Sequence, residues 1–307
     1  MSSLALSTYV SPGNWEYIRQ QAEKHESQPA ATIESLPEEL FLRIFGFLSP
    51  EALGGASRVC REWRRLASDQ TLWDTFNLKT FYPGFNVIDE KIWEKHVDLK
   101  TLGIDATGAP SLDTRTLIPV IHDLSRQVES GAGVTLLTIP KGLTFNKLLK
   151  LAKTPKEGNT VRISKDWPDI SQRLGGIPVD KTYIVAITNS VLANSRNLSV
   201  KDQQQLVSNL GYEMPRVLPA AALAILTYMS SPQEQPPIRL YNDEPWTYTR
   251  CLEKIGNYNL TVGGFSFALY PSGLDISCNY YDYFADVNIG VAALRKFEVI
   301  DDNSRSL

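Results

Sequence analysis

The sequence predicts an α+β or α/β protein in which a small three-helix unit precedes a larger mixed domain of helices and strands. Two helix-start signals, at Ser35 and again at Ser49, lie close together and imply short helices packed in succession. From Leu117 onward the apolar spacing alternates between helical and strand periods. No self-similarity recurs at a period of about 20–50 residues, so neither leucine-rich nor propeller repeats are expected.

The 307 residues suggest two domains, and 43% hydrophobic content supplies a sizeable core. A net charge of −3, from 31 basic and 34 acidic residues, gives no basic footprint, so no nucleic acid is expected as a partner. Cys60, Cys251 and Cys278 are too few and too scattered for a disulfide framework, which fits a reducing, cytoplasmic compartment. Residues 1–10 lack the basic and apolar regions of a secretory signal. The most apolar stretch, Val217–Met229, is 13 residues long. A spanning helix needs about 20, so no membrane span is expected and this segment reads as a buried helix.

Residues 1–32 are polar and read as a flexible leader, with a short helix over 15–24. In residues 33–76, Ser35 and Glu38 form a capping-box pair around Pro37. Leu40, Phe41, Ile44, Phe45 and Leu48 make a wide apolar stripe. Ser49, Pro50 and Glu51 start a second helix around Leu53, which Gly54 and Gly55 limit to a turn or two. A third helix is expected over 56–67, with Ala56, Val59, Cys60, Trp63 and Leu66 on one side and Arg58, Arg61, Arg64 and Arg65 on the other. Leu72 and Trp73 close the unit. So small a unit cannot hide this many large apolar residues, and part of the stripe must pack on something else.

Residues 77–115 read as a connecting segment with a helix over 88–96, and residues 116–299 as the α/β domain. Leu117, Ile121, Leu124 and Val128 share a helix face that ends at Gly131. Residues 133–139 read as a buried strand stopped by Pro140. Thr144 caps a helix carrying Phe145, Leu148, Leu149 and Ala152. Residues 183–187 are a second buried strand. Ser199 and Asp202 start a helix through Leu206, Val207 and Leu210, ended by Gly211. Val217–Met229, apolar nearly all round, is the expected central helix. Beyond it, residues 238–241, 259–262, 265–270 and 289–294 read as strands, 249–254 as a short helix, and Gly263-Gly264 as a bulge or turn. Residues 300–307 form a polar tail.

The order Leu36, Pro37, Glu38, Glu39, Leu40, Ile44, Leu48, Leu53, then Val59, Cys60, Arg61, Glu62, Trp63, then Leu72, Trp73 resembles the F-box motif along its whole length. The resemblance implies a three-helix F-box that docks on a Skp-type adaptor and, through it, a cullin ubiquitin ligase. It marks Leu36, Pro37, Leu40, Ile44, Leu48 and Leu53 as adaptor contacts. It marks Val59, Cys60 and Trp63 as a mixture of contact and internal core. Gly54-Gly55 departs from the family, which has helix formers there. Residues 141–150, 198–204 and 245–251 resemble a C-terminal region of F-box proteins from chlamydia-related intracellular bacteria, which implies a secreted effector acting in a host cytosol.

The implied function is recruitment of an unknown target protein to the ligase by proximity, with no active site or cofactor required. Two alternatives are an adaptor-binding decoy and a tethered enzyme. His25, His96 and His122 show no metal-ligand spacing and there is no C-x-x-C, so no metal is expected. A thiol hydrolase would need Cys251 or Cys278 beside His122. No glycine-rich segment lies between a strand and a helix, as phosphate binding requires. Residues 241–246 and 279–284 mix aromatics with acids. Tyr241, Trp246, Tyr280 and Tyr281 are the expected target-docking residues, because aromatics are enriched where proteins meet.

Overall fold

A computed structural model describes residues 36–69, 71–72, 78–112, 114–165, 168–241, 246–265 and 273–297. Ser35, Trp73, the expected helix over 15–24, most of the expected strand 265–270 and the polar tail lie outside the described residues. The chain divides into two compact units, Met1–Phe76 and Asn77–Leu307.

The first unit holds α1 (Glu38–Phe45), α2 (Pro50–Ala56) and α3 (Arg61–Ala67). Pro37 is the N-cap residue of α1. The expected partner of Glu38 at the helix start, Ser35, lies outside the described residues, and the Glu38 carboxylate reaches α3. It accepts a bidentate pair from Arg65 on α3, at 2.7 and 3.1 Å. Ser49 caps α2, accepting from the Ala52 N–H. The third helix starts five residues later than expected. Ala56 ends α2, residues 57–59 form a turn, and Cys60, extended at φ −153°, caps α3 with its sulfur on the Trp63 N–H. Gly54 and Gly55 are carried inside α2, whose two turns are held by a cap and by Leu53 packing.

The second unit is an α+β fold built on two mixed sheets. It adds α4 (Leu78–Phe81), β1 (Asn86–Ile88), α5 (Glu90–His96), α6 (Thr114–Gln127), β2 (Val134–Ile139), α7 (Phe145–Lys153), β3 (Ile163–Lys165), α8 (Pro168–Arg173) and β4 (Tyr183–Thr188). Then come α9 (Val200–Asn209), α10 (Val217–Met229), β5 (Tyr248–Ile255), β6 (Tyr258–Gly263), β7 (Leu274–Tyr281), β8 (Ile289–Gly290) and β9 (Leu294–Phe297). The first sheet has the order β1-β2-β4-β9, with β1 parallel to β2 and the other pairs antiparallel. The second has the order β3-β7-β6-β5-β8.

The expected strand over 133–139 forms β2, which is buried throughout because the first sheet is covered on both faces. Leu137, Ile139, Val185 and Ile187 face the cluster around α10, whereas Val134, Leu136 and Ala186 face α6 and α9. Alternate residues of a strand point to opposite faces, so each face needs its own apolar set. Trp93 on α5 is fully buried in the first of these clusters and donates from its indole N–H to the Thr138 carbonyl at 2.7 Å.

Helix α10 lies between the sheets, with 11 of its 13 residues buried. Its first N–H, that of Val217, donates to the Glu253 carboxylate at 2.9 Å. Burial holds that carboxyl above its ordinary range, although the helix N–H and Arg216 oppose the shift.

Three expectations fail here. Residues 249–254 are not a helix but the body of β5. The two-residue turn Gly256-Asn257 pairs Ile255 with Tyr258, and Gly256 supplies φ 59° at the first turn position, as a hairpin requires. Residues 238–241 are not a strand. The expected strand 289–294 is two short strands, β8 and β9, in different sheets. The guanidinium of Arg250, on β5, is fully buried. It donates to the Leu198 and Phe284 carbonyls and to Gln203 Oε1.

Two outcomes follow. Arg250→Met should destabilise the chain by at least about 2 kcal/mol in denaturant unfolding, because one buried and two part-buried acceptors lose a charged donor. Glu253→Gln keeps an acceptor for the Val217 N–H but cannot ionise. The raised carboxyl contributes stability that is fully present below its ordinary value of 4.5 and lost as pH rises through its folded value. The variant should therefore match wild type near pH 4 and gain on it toward neutrality, as read from denaturant midpoints across pH.

Candidate functional site: two apolar surfaces

Helix α1 is apolar on two sides. On one, Phe41 and Phe45 are buried and meet Trp63 edge-on at 6.0 and 5.5 Å between ring centroids. With Leu53, Ala56, Leu66, Ala67 and Leu72 they form the core of the unit. On the other side Pro37, Leu40, Ile44 and Phe47 recur at i, i+3, i+7 and i+10. Leu40 is 44% exposed, Ile44 43% and Phe47 79%. The turn before α3 adds Val59, 63% exposed, and Cys60 is exposed beside it.

The residues marked by the resemblance therefore separate by burial. Pro37, Leu40, Ile44, Val59 and Cys60 are exposed, and Leu36, Leu48 and Trp63 are half-buried against the core. Leu53, at 2% exposed, lies within the core. Phe47 is a surface residue that the sequence reading missed, although its place three residues after Ile44 continues the same stripe. Arg65 joins Glu38 and Glu62 beside this surface, with all three side chains half-exposed, so these pairs fix orientation more than stability.

The second surface is the segment 281–288. Tyr281 pairs with Tyr258 across the strands, their hydroxyls 2.8 Å apart, and stacks on Tyr283. Asp282 accepts from Lys254 at 2.6 Å and from Asn259, which holds its carboxyl below the ordinary range. Arg250 holds the Phe284 carbonyl from beneath. Arg196, paired with Glu129, donates to the Val287 and Trp246 carbonyls and to the Thr247 hydroxyl. The segment is thus fastened at four points while Tyr281, Tyr283, Phe284, Val287 and Trp246 stay exposed.

The four expected docking residues do not form one cluster. Trp246 and Tyr281 are exposed but sit near opposite ends of β5–β7, because Tyr248 pairs with Gly263 whereas Tyr258 pairs with Tyr281. Tyr241 is a correction. It is 3% exposed, its hydroxyl donates to the Thr188 carbonyl, and burial pushes the phenol well above its ordinary range. Proline and acids follow it in sequence, which suggested a loop tip, but the ring belongs to the core around α10. The side chain of Tyr280 lies outside the described residues.

The residues weighed for catalysis lie apart. Cys251 is fully buried in the core around α10, and burial pushes its thiol well up, against thiolate formation. His122 sits on α6 with its ring against Tyr82. His96 is buried, its ring nitrogens meeting the Glu157 carbonyl at 2.7 Å and the Ser230 hydroxyl at 3.1 Å. Among the described residues no group of three or more His, Cys, Asp and Glu could hold a metal ion, and no helix is long and apolar enough to cross a membrane.

The F-box-like family model matches residues 33–79. An F-box protein of Saccharomyces cerevisiae is 46% identical over 41 residues, which are 13% of this chain and 6% of that protein. No solved structure matches the chain significantly.

The two sides of α1 should respond differently to truncation. Phe45→Ala should cost about 3–5 kcal/mol, whereas Ile44→Ala should stay within about 0.5 kcal/mol, the range of ordinary surface changes. Denaturant unfolding of both variants checks this.

Proposed function

We propose that this chain, which carries an F-box-like domain at residues 33–79, docks a Skp-type adaptor through α1 and presents a target protein to a Skp–cullin–F-box ubiquitin ligase. An F-box domain implies a Skp-binding role in such ligases generally. The observation that supports it here is the second apolar side of α1. A short surface helix needs one apolar side for its own core, and Phe41 and Phe45 already fill that role. Pro37, Leu40, Ile44 and Phe47 add a second one, and charged residues Glu38, Arg65 and Glu62 lie beside it. An apolar centre with a polar rim is the anatomy of a protein interface.

Leu36 and Leu48 flank this stripe and contribute at its border, and Cys60 and Trp63 support it from α3. Leu53 acts from within, by holding α2 against α1 and α3. The second unit supplies target recognition, with Trp246 and Tyr281 as exposed candidates on a fastened scaffold. Recruitment needs only proximity, since a held target meets the charged conjugating enzyme at high effective concentration.

Affinity capture of a purified Skp-type adaptor by the full chain tests the reading. Wild type should retain the adaptor. The Leu36→Ala, Pro37→Ala, Ile44→Ala triple should weaken retention at least tenfold, because central interface residues each contribute about 2 kcal/mol or more. Failure of wild type to bind, or equal binding by a folded triple, refutes it. A decoy would bind the adaptor equally well yet leave no protein ubiquitinated in a reconstituted ligase supplied with cell extract.

A further inference from the structure

A cavity of about 480 Å³ runs along β1 in the second unit. Five consecutive residues, 84–88, line it. Alternate residues of a strand point to opposite faces, so a cavity touched by every residue in a row meets the strand along its backbone edge. That edge is open. Among the described residues, strand β1 is the outermost strand of the first sheet and pairs only with β2. Among the described residues, Asn86, Val87 and Ile88 make no main-chain hydrogen bond outside that ladder. An edge strand of this kind presents a row of unused N–H and C=O groups.

The opposite wall is preformed. It consists of the end of α10 and the segment after it, which the Ser231 hydroxyl fastens by donating to the Thr227 carbonyl and accepting from the Ile238 N–H. Asn159 donates to the Tyr228 and Ser231 carbonyls from outside. Among the described residues the lining carries no charged side chain. Val87 is 40% and Ile238 55% exposed, so apolar surface flanks the open edge on both sides. Thr227 also lines the cavity, is 9% exposed, and its hydroxyl has no hydrogen-bond partner.

We infer that this cavity binds an extended, uncharged peptide segment of a partner protein, which adds to β1 as a further strand. The open edge asks for a ligand with donors and acceptors alternating at the backbone repeat, which an extended polypeptide supplies. The neutral walls select side chains without charge. Strand β1 itself, residues 86–88, spans about 10 Å, room to pair a segment of roughly three residues. The proposal deepens the recruiting role proposed above by naming what the second unit recognises, but peptide binding itself requires no adaptor.

The test uses the full chain. A displayed library of random hexapeptides lacking Asp, Glu, Lys and Arg is panned on it, and enriched peptides are measured by fluorescence anisotropy. Single N-methylation should then be scanned along the best peptide. Strand addition predicts losses of tenfold or more at every second position and little change between. Val87→Lys and Ile238→Lys alter exposed positions, and each should weaken binding at least tenfold with the melting temperature unchanged. Thr227→Val should raise the melting temperature while weakening binding. No enrichment over an empty support overturns the proposal. So does binding that survives Ile238→Lys, or an N-methyl scan without a two-residue period. A dimer of the chain that Val87→Lys abolishes in sedimentation would assign the edge to a second copy instead. Adaptor capture, run on the same preparations, separates the two readings, because Ile238→Lys should leave it intact.

Discussion

Helix α10 has no polar face, and the second unit is organised around that constraint. A helix that is apolar all round must be covered all round, and each large side chain removed from water contributes about 1.5–3 kcal/mol. One sheet cannot do this. The residues that enclose α10 come from both sheets: Leu137, Ile139, Val185 and Ile187 from the first, and Cys251, Leu260, Val262 and Ile276 from the second. Covering α10 turns one face of the first sheet inward, and the other face then needs α6 and α9. Sheets, flanking helices and the buried Trp93 all follow from hiding one thirteen-residue segment.

The second sheet carries a buried cost of a different kind. Arg250 brings a charge into this interior and is accommodated by two carbonyls and Gln203. Its role is positional, since it ties β5 to the segments at 198–203 and 284. Arg196 does the same at a half-buried site, with Glu129 balancing its charge. Together they fix an exposed aromatic segment on a rigid base. A backbone held this way loses little entropy when a partner covers it.

The first unit solves the opposite problem. Its apolar residues exceed what three short helices can enclose, so α1 keeps Phe41 and Phe45 inside and leaves Leu40, Ile44 and Phe47 in water. Sequence spacing alone announced the excess but not its division. Leu40 and Phe41 are neighbours of similar hydrophobicity, and only the direction of α3 decides which one Trp63 covers. The resemblance marked Leu53 as an adaptor contact, whereas α2 turns it inward. Spacing set Val59 on one side of a helix over 56–67, whereas it lies in the turn that precedes α3, which Cys60 caps.

What the sequence determined by itself is local. Caps at Ser49, Thr144 and Ser199, the apolar periodicity of α6 and α7, the buried strands β2 and β4, and the closed apolar run of α10 were all legible, because each depends on contacts within a few residues. The order of motif residues in the first unit was legible for the same reason. Tertiary structure decided the rest. Residues 249–254 have helical-looking spacing, yet the Gly256 hairpin and pairing with β6 make them a strand. Tyr241 sits among loop-forming residues, yet the core around α10 claims its ring. Strand β1, too short to signal itself, exists because β2 offers it an edge, and the open side it leaves is a property of that pairing. Long-range pairing and enclosure overrule local preference because burying apolar surface outweighs the fraction of a kilocalorie that separates helix from strand at one residue.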